Sequence, residues 1–212
     1  MKKTILINAS PRKDWNTAQL VEAAERGAKA AGSETELVHL YDLKGSGCRS
    51  CLACKSKSGK HCHCVWPDDY SPLIDKIYQA DTLIIGTPIY FGEPVAQLKA
   101  FLERLIFCGF SYDDYSSYFH GHIQVGLIYT MNAPKEYYEE HYKTKWAGEA
   151  ELFHILGGQI FTLASCDTLQ VKDYSQYNMA SFSEGDKQAH HSLQFPKDLA
   201  EAEKLGRQLN LL

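Results

Sequence analysis

Ser10, Arg12, Asn16 and Thr17 lie between an apolar run, Thr4–Asn8, and a helical pattern that starts at Thr17. Where a strand runs into a helix, the first backbone N–H groups of that helix lack partners and sit at the positive end of its dipole. Hydroxyls, an amide and a guanidinium placed there form a cradle suited to a phosphate. The implied chemistry is anion binding at the carboxyl edge of an α/β sheet. The segment matches neither G-x-x-x-x-G-K-[ST] nor G-x-G-x-x-G, so a P-loop NTPase and an ordinary dinucleotide fold both fit poorly.

A second chemical segment, Gly86-Thr87-Pro88-Ile89-Tyr90-Phe91-Gly92, follows the third apolar run. Its proline and glycines predict a tight loop with exposed backbone, and Tyr90 and Phe91 offer flat apolar surface. A planar heterocycle suits such a loop. The competing reading is that both aromatic rings simply pack on the following helix. The phosphate-type loop is expected one strand away, which favours a ligand spanning both loops.

The third concentration of chemistry is Cys48, Cys51, Cys54, Cys62 and Cys64, five of the chain's seven cysteines. In a reducing compartment such clustering points to metal or redox chemistry before disulfides. Cys108 and Cys166 lie among apolar residues and read as buried structural thiols.

These segments must be positioned by a scaffold, and the pattern of apolar runs describes one. Strands are expected at Thr4–Asn8, Thr35–Leu40, Thr82–Gly86, Ile123–Thr130 and Gln159–Leu163, alternating with helices as in βαβ units. Thr17–Ala31 carries apolar residues at helical spacing and Gly32 closes it. Pro94–Phe107 opens on a first-turn proline and carries a wide apolar stripe. Ser71–Gln79, Glu149–Leu156 and Lys197–Leu211 complete the cover helices. Glu139, Glu140, Lys143 and Lys145 read as an exposed charged helix, and His190 and His191 as solvated. Tyr112–Phe119 reads as a flap, a subunit contact or a plain surface loop; Trp15 as a shield for the anion or a subunit contact. The expectation is one α/β domain over residues 1–212, doubly wound, with a cysteine-rich insert at about 45–70.

Composition narrows the partners. The chain has 212 residues, 44% hydrophobic and 23% charged, with a net charge of −4. Scattered basic residues make nucleic acid and anionic membranes poor partners. The apolar run after the initial Met-Lys-Lys is too short for a signal core, and no stretch approaches transmembrane length, so a cytoplasmic address is expected.

At this point three motifs resemble one family, the flavodoxin-like NAD(P)H-dependent FMN reductases and the related iron–sulfur flavoproteins. Ser10-Pro11-Arg12, Asn16-Thr17 and Leu20 resemble the family's SPRxxxNTxxL phosphate loop. Thr87 to Gly92, followed by Lys99 and Arg104, resembles its second flavin loop. Cys48, Cys51 and Cys54, followed by Asp68-Asp69, resemble its cysteine segment. The resemblance implies a five-stranded parallel sheet in the order 2-1-3-4-5 within a three-layer α/β/α sandwich. It also implies FMN held non-covalently, NAD(P)H as hydride donor to flavin N5, and a quinone, flavin or similar small acceptor.

On that resemblance Ser10, Arg12, Asn16 and Thr17 hold the phosphate, while Pro88, Ile89, Tyr90, Phe91 and Gly92 line the ring. Thr130 and Asn132 approach it from Tyr129-Thr130-Met131-Asn132. The cofactor carries the chemistry, so no catalytic side chain is expected. A homodimer is implied. Asp167-Thr168-Leu169-Gln170 through Ser175 resembles a segment of one subgroup, with no chemistry assigned. Cys48-x2-Cys51-x2-Cys54-x7-Cys62 is compatible with the compact [4Fe–4S] motif of the iron–sulfur flavoproteins. Zinc on Cys48, Cys51, Cys54 and one of His61 to Cys64, free or redox-active thiols, and a metal-free remnant stay open beside it. Two further functions accompany the reductase: an electron carrier with a [4Fe–4S] cluster and a ferredoxin-like partner, and a non-catalytic flavin-binding redox sensor.

Overall fold

The computed structural model describes residues 1–212. In chain order the elements are β1 (Lys3–Asn8), α1 (Asn16–Ala30), β2 (Glu34–His39), α2 (Tyr70–Ile77), β3 (Thr82–Tyr90), β4 (Glu93–Pro94) and α3 (Ala96–Gly109). They continue with β5 (Ile123–Thr130), α4 (Lys135–Tyr137), α5 (Lys143–Ala150), β6 (Gly157–Ser165) and α6 (Glu184–Leu209). The parallel strands run in the order β2-β1-β3-β5-β6. The central strands are near-continuous apolar runs, as strands covered on both faces must be. Leu6 and Ile84 face the layer containing Leu20, Val21 and Ala24 of α1 and Leu205 of α6. Ile5, Ile7, Leu83 and Ile85 face the layer containing Ile74 and Phe101. No helix is long and apolar enough to cross a membrane.

The expectation of five strands in the order 2-1-3-4-5 needs correcting to six. Thr82–Gly86 does not end at the glycine: β3 runs on to Tyr90 and folds back as β4, pairing Ile89 with Pro94 and Tyr90 with Glu93 antiparallel. The turn between them is Phe91-Gly92, with φ of 53° and 79°. Positive φ at both central residues is the conformation of a type I′ hairpin turn, which matches the strand twist. A bulky phenylalanine there carries local strain, because its Cβ crowds the backbone in the left-handed region.

Three helical expectations also change. The last helix begins at Glu184 rather than Lys197. Ser183 caps it by accepting a hydrogen bond from the Asp186 N–H at 3.3 Å, and Pro196 lies inside it. His190 and His191 are therefore helical and half-buried rather than solvated, and His190 Nε2 and His191 Nδ1 are buried without partners. The charged stretch around Glu139 is a π turn, Tyr138–Tyr142, joining α4 to α5. It braces the hairpin: the Tyr142 ring lies where a Cβ on Gly92 would reach it at 3.2 Å, and Lys145 pairs with Glu93. Glu149–Leu156 is the end of α5 followed by a 3₁₀ turn at Glu151–Leu156.

α1 and α6 approach closely because each presents a glycine. A Cβ on Gly206 would lie 1.9 Å from the Ala24 carbonyl oxygen, and one on Gly27 would lie 1.8 Å from that of Glu203. This contact fixes the axis of α1, and with it the direction in which the helix N-terminus faces the first loop.

Candidate functional site

The first loop is shaped by its own side chains. The Ser10 N–H donates to Asn8 Oδ1 at 3.0 Å, and the Arg12 N–H donates to Ser10 Oγ at 3.1 Å. Such local side-chain acceptors replace strand pairing and turn the chain sharply. No side chain caps α1, and its first turn carries no acidic residue. Its leading N–H groups therefore face the loop as donors, with the dipole favouring an anion.

One open cleft collects residues of the first loop, the second loop and the segment after β5. Ser10, Arg12, Asn16 and Thr17 form its anion end, Pro88, Ile89 and Tyr90 a second wall, and Thr130 and Asn132 a third. Thr17 and Thr130 join the first and third walls directly, their hydroxyl oxygens 2.7 Å apart and buried. Phe91 and Gly92 are placed elsewhere. They form the hairpin tip, with the Phe91 ring fully exposed and Gly92 against Tyr142.

A fourth wall, Thr168-Leu169-Gln170, was legible in the sequence only as a stretch without assigned chemistry. The Leu169 carbonyl accepts from Trp15 Nε1 at 3.0 Å and Asn16 Nδ2 at 2.8 Å, and the Gln170 carbonyl accepts from Arg12 Nη1 at 2.5 Å. Trp15 is thus tied to this strap within the chain. Arg12 keeps the other donors of its fork free for an anion.

Lys187 on α6 holds the strap to the third wall and is missed by sequence reasoning. It is buried, donates to the Asn132 backbone oxygen at 3.2 Å and to the Asn132 side chain, and pairs with Asp167. Asp167 itself has φ 53°. With its Oδ1 engaged, the Asn132 amide has its N–H₂ donors left for a ligand. The donor set as a whole, an uncapped helix terminus with guanidinium, hydroxyl and amide groups beside an apolar wall, fits a phosphate joined to a flat ring.

The cysteine segment forms a separate pocket. Cys48, Cys51, Cys54 and Cys64 line it with Arg49, Trp66, Arg104 and Phe107; Cys62 does not. All seven cysteines are free. No three His, Cys, Asp or Glu side chains converge closely enough for a single metal ion. Among the donors considered for zinc, His61 stacks on Tyr118 at 3.8 Å and His63 Nδ1 lies 2.7 Å from Asp75. The stack also gives the Tyr112–Phe119 stretch a role, as a brace for the cysteine segment. Burial pushes the Cys62 thiol up to about 11 and that of Cys166 up to about 12. Cys108 is buried as expected, whereas Cys166 is only half-buried.

Arg104 anchors this pocket rather than the cleft. Its guanidinium is buried and bonds Asp68 at 2.5 Å, Ser71 Oγ at 2.7 Å, the Ser46 carbonyl at 3.2 Å and Cys64 Sγ at 3.3 Å. Burial alone would raise the Asp68 carboxyl, but the hydrogen bond and charge of Arg104 outweigh it and hold the group below its ordinary value. Asp69 accepts from the Lys44 N–H at 2.7 Å, so the acidic pair fastens both ends of the segment.

Several known proteins are similar to this chain. An iron–sulfur flavoprotein of Methanocaldococcus jannaschii is 39% identical over 102 residues, which is 48% of this chain and 51% of that protein. One of Methanosarcina thermophila is 35% identical over 100 residues, 47% of this chain and 50% of that protein. The chain thus spans about half the length of the curated relatives it matches. In fold it resembles an NAD(P)H:quinone oxidoreductase from Methanothermobacter marburgensis, with a TM-score of 0.72 at 16% identity, covering 98% of this chain and 96% of that one. A family model described as NADPH-dependent FMN reductase matches residues 2–133, a span that contains the anion loop, the cysteine pocket and the third wall of the cleft, and the chain belongs to that family.

Proposed function

We propose that the protein is an FMN-dependent oxidoreductase that takes hydride from NAD(P)H and reduces a quinone, a flavin or a similar small acceptor. One observation carries the reading: a single cleft joins an uncapped helix terminus, lined by Ser10, Arg12, Asn16 and Thr17, to an apolar wall of Pro88, Ile89 and Tyr90. That arrangement suits a ligand with a phosphate at one end and a planar ring at the other. Family membership supports FMN as that ligand.

Bound FMN would supply the redox chemistry, accepting hydride and passing electrons on. The residues of the chain bind and orient. The N–H groups of α1, the hydroxyls of Ser10 and Thr17 and the free donors of Arg12 hold the phosphate. Pro88 and Ile89 present an apolar wall to the ring, and Tyr90, half-exposed at the hairpin, borders its open side. Asn132, fixed by Lys187, offers its amide N–H₂ to the ring's polar edge. Phe91 and Gly92 act through the hairpin turn. A small-molecule acceptor, a homodimer and a cytoplasmic address complete the proposal.

The absorption spectrum of freshly purified protein, followed by steady-state NAD(P)H oxidation with a quinone, tests this. A two-band flavin spectrum and turnover are expected. Protein that stays colourless with added FMN overturns the reading.

The four-thiol pocket favours a second reading, an iron–sulfur electron carrier, and the names of the curated relatives support it. Flavin-loaded protein without quinone turnover, yet able to exchange single electrons with a ferredoxin, would select it.

A further inference from the structure

A cavity of about 450 Å³ lies on the α3 face of the sheet, bordered by α3, the end of α5 and the 3₁₀ turn that follows it. Its volume is within the roughly 300–1,000 Å³ usual for small-molecule sites. Strand register pairs Thr87 with Tyr129 and Pro88 with Thr130. Thr87 and Tyr129 line this cavity, whereas Pro88 and Thr130 line the cleft described above. Successive side chains of a strand point to opposite faces, so the two spaces lie on opposite sides of the ends of β3 and β5. No residue lines both.

The walls are mainly apolar. Leu102 and Ile106 of α3, Leu152 and Phe153 of the turn, and Leu127 of β5 are among them. One polar group in the lining lacks a partner. Tyr129 is 6% exposed, and its hydroxyl makes no hydrogen bond within the chain. Buried tyrosine hydroxyls usually find one. Burial, with the Glu149 carboxylate and Tyr138 nearby, pushes this phenol above its ordinary value, so it stays protonated and able to donate. Lys99 offers no unshared positive charge, because its ammonium lies 3.3 Å from Glu93 and 3.2 Å from Glu149. With Glu103 and Glu149 both in the lining, the cavity carries more negative than positive charge.

We propose that this cavity is a second ligand site, separate from the cleft, and that it takes a neutral aryl carbonyl compound whose oxygen accepts from the Tyr129 hydroxyl. A flat ring buries its apolar surface against α3 and Phe153. The carbonyl gives the Tyr129 O–H the acceptor it lacks. A carboxylate on the same ring would meet Glu149 with no free cation to offset it. The site does not rest on the flavin reading, since the cleft contributes none of its walls.

The test titrates prodan, a neutral naphthyl ketone whose emission moves to the blue in apolar surroundings, into the full chain with and without saturating FMN. Saturable blue emission is expected, with the same midpoint in both. Ile106→Trp, which fills the cavity, should raise that midpoint at least about tenfold. Tyr129→Phe should raise it about two- to tenfold and move the bound emission further to the blue. Acetylnaphthalene should displace the probe, and naphthoate, the same ring with a carboxylate, should not. Thermal unfolding confirms that each variant is folded; should Ile106→Trp fail, Leu152→Trp at the exposed rim takes its place. A midpoint that climbs with FMN puts the probe in the cleft, and one that neither variant moves puts it elsewhere; each overturns the proposal. Equal displacement by naphthoate overturns the neutral ligand class. Absence of saturable binding overturns the site itself, and a sedimenting dimer that Ile106→Trp splits would then show that a second copy covers this face.

Discussion

Arg104 Nη1 lies 2.5 Å from Asp68 Oδ2, with the arginine side chain 1% exposed and the aspartate 14%. This pair fastens α3 to the far end of the cysteine segment, and Ser46, Ser71 and Cys64 occupy further donors of the same guanidinium. Removing one partner of a buried pair strands the other charge and its acceptors. Arg104→Met is therefore expected to cost about 3–5 kcal/mol of folding stability. Urea unfolding of the flavin-free protein measures it, and a loss below about 1 kcal/mol, the level of an exposed pair, would contradict the burial argument.

The same pair sets an acid dependence. The Asp68 carboxyl is held below its ordinary value because Arg104, with help from the Tyr70 and Ser46 N–H groups, outweighs burial. A carboxylate with a depressed folded value contributes stability above its unfolded value, roughly 3.9, and loses it as pH falls through the folded one. Wild type should therefore lose melting temperature more steeply than Asp68→Asn below about pH 4. Parallel slopes for the two proteins in thermal scans would remove Asp68 from the account.

The grouping of Ser10, Arg12, Asn16 and Thr17 at one end of the cleft was legible because they lie within one strand-to-helix connection, where spacing alone decides proximity. The same holds for Ile123–Thr130, whose bounds match β5. What stayed hidden depends on distant or conformational facts. Lys187 reaches Asn132 across 55 positions, and its helix was obscured by Gly185, the histidine pair and Pro196. The strap carbonyls of Leu169 and Gln170 use backbone atoms, which have no residue signature. Phe91 takes positive φ without being glycine or asparagine, so the hairpin could not be read from composition.

Arg12→Ala separates binding from chemistry. Arg12 is exposed, and the one hydrogen bond its side chain makes goes to a strap carbonyl. Its loss should change the stability of the flavin-free protein by less than about 0.5 kcal/mol. A charge-assisted bond to phosphate contributes about 1.5–3 kcal/mol, so FMN affinity should fall about ten- to hundredfold in a fluorescence titration. The rate of hydride transfer in the fully loaded variant should stay near wild type. Unchanged affinity would take Arg12 out of the anion site.

Gly206→Ala probes the scaffold under that site. The new methyl group would meet the Ala24 carbonyl at 1.9 Å, and backbone cannot step aside as a flexible side chain could. Overpacking of this kind typically costs about 1–3 kcal/mol, and a contact so short should reach at least the upper end. For a chain of this size the melting temperature should drop by about 2–4 °C per kcal/mol. Retention of the wild-type melting temperature would show that α1 and α6 can separate freely.

Lys187→Met removes the clamp without removing its bulk. The ammonium group is shared by the Asn132 backbone and side chain and by the Asp167 carboxylate, all at a buried position. Methionine fills much of the same space but donates nothing, leaving the Asp167 carboxylate with only His190 Nδ1 beside it, at 3.5 Å, on a backbone conformation that favours glycine. Unlike Arg12→Ala, this variant should lose stability before any flavin is added, by about 1.5–3 kcal/mol for the lost charge-assisted bonds. It should also weaken FMN binding, because Asn132 and the Thr168–Gln170 strap are freed together. Urea unfolding and flavin titration on the same preparation separate the two effects. If stability fell while affinity held, Lys187 would support α6 alone and the third wall would not depend on it.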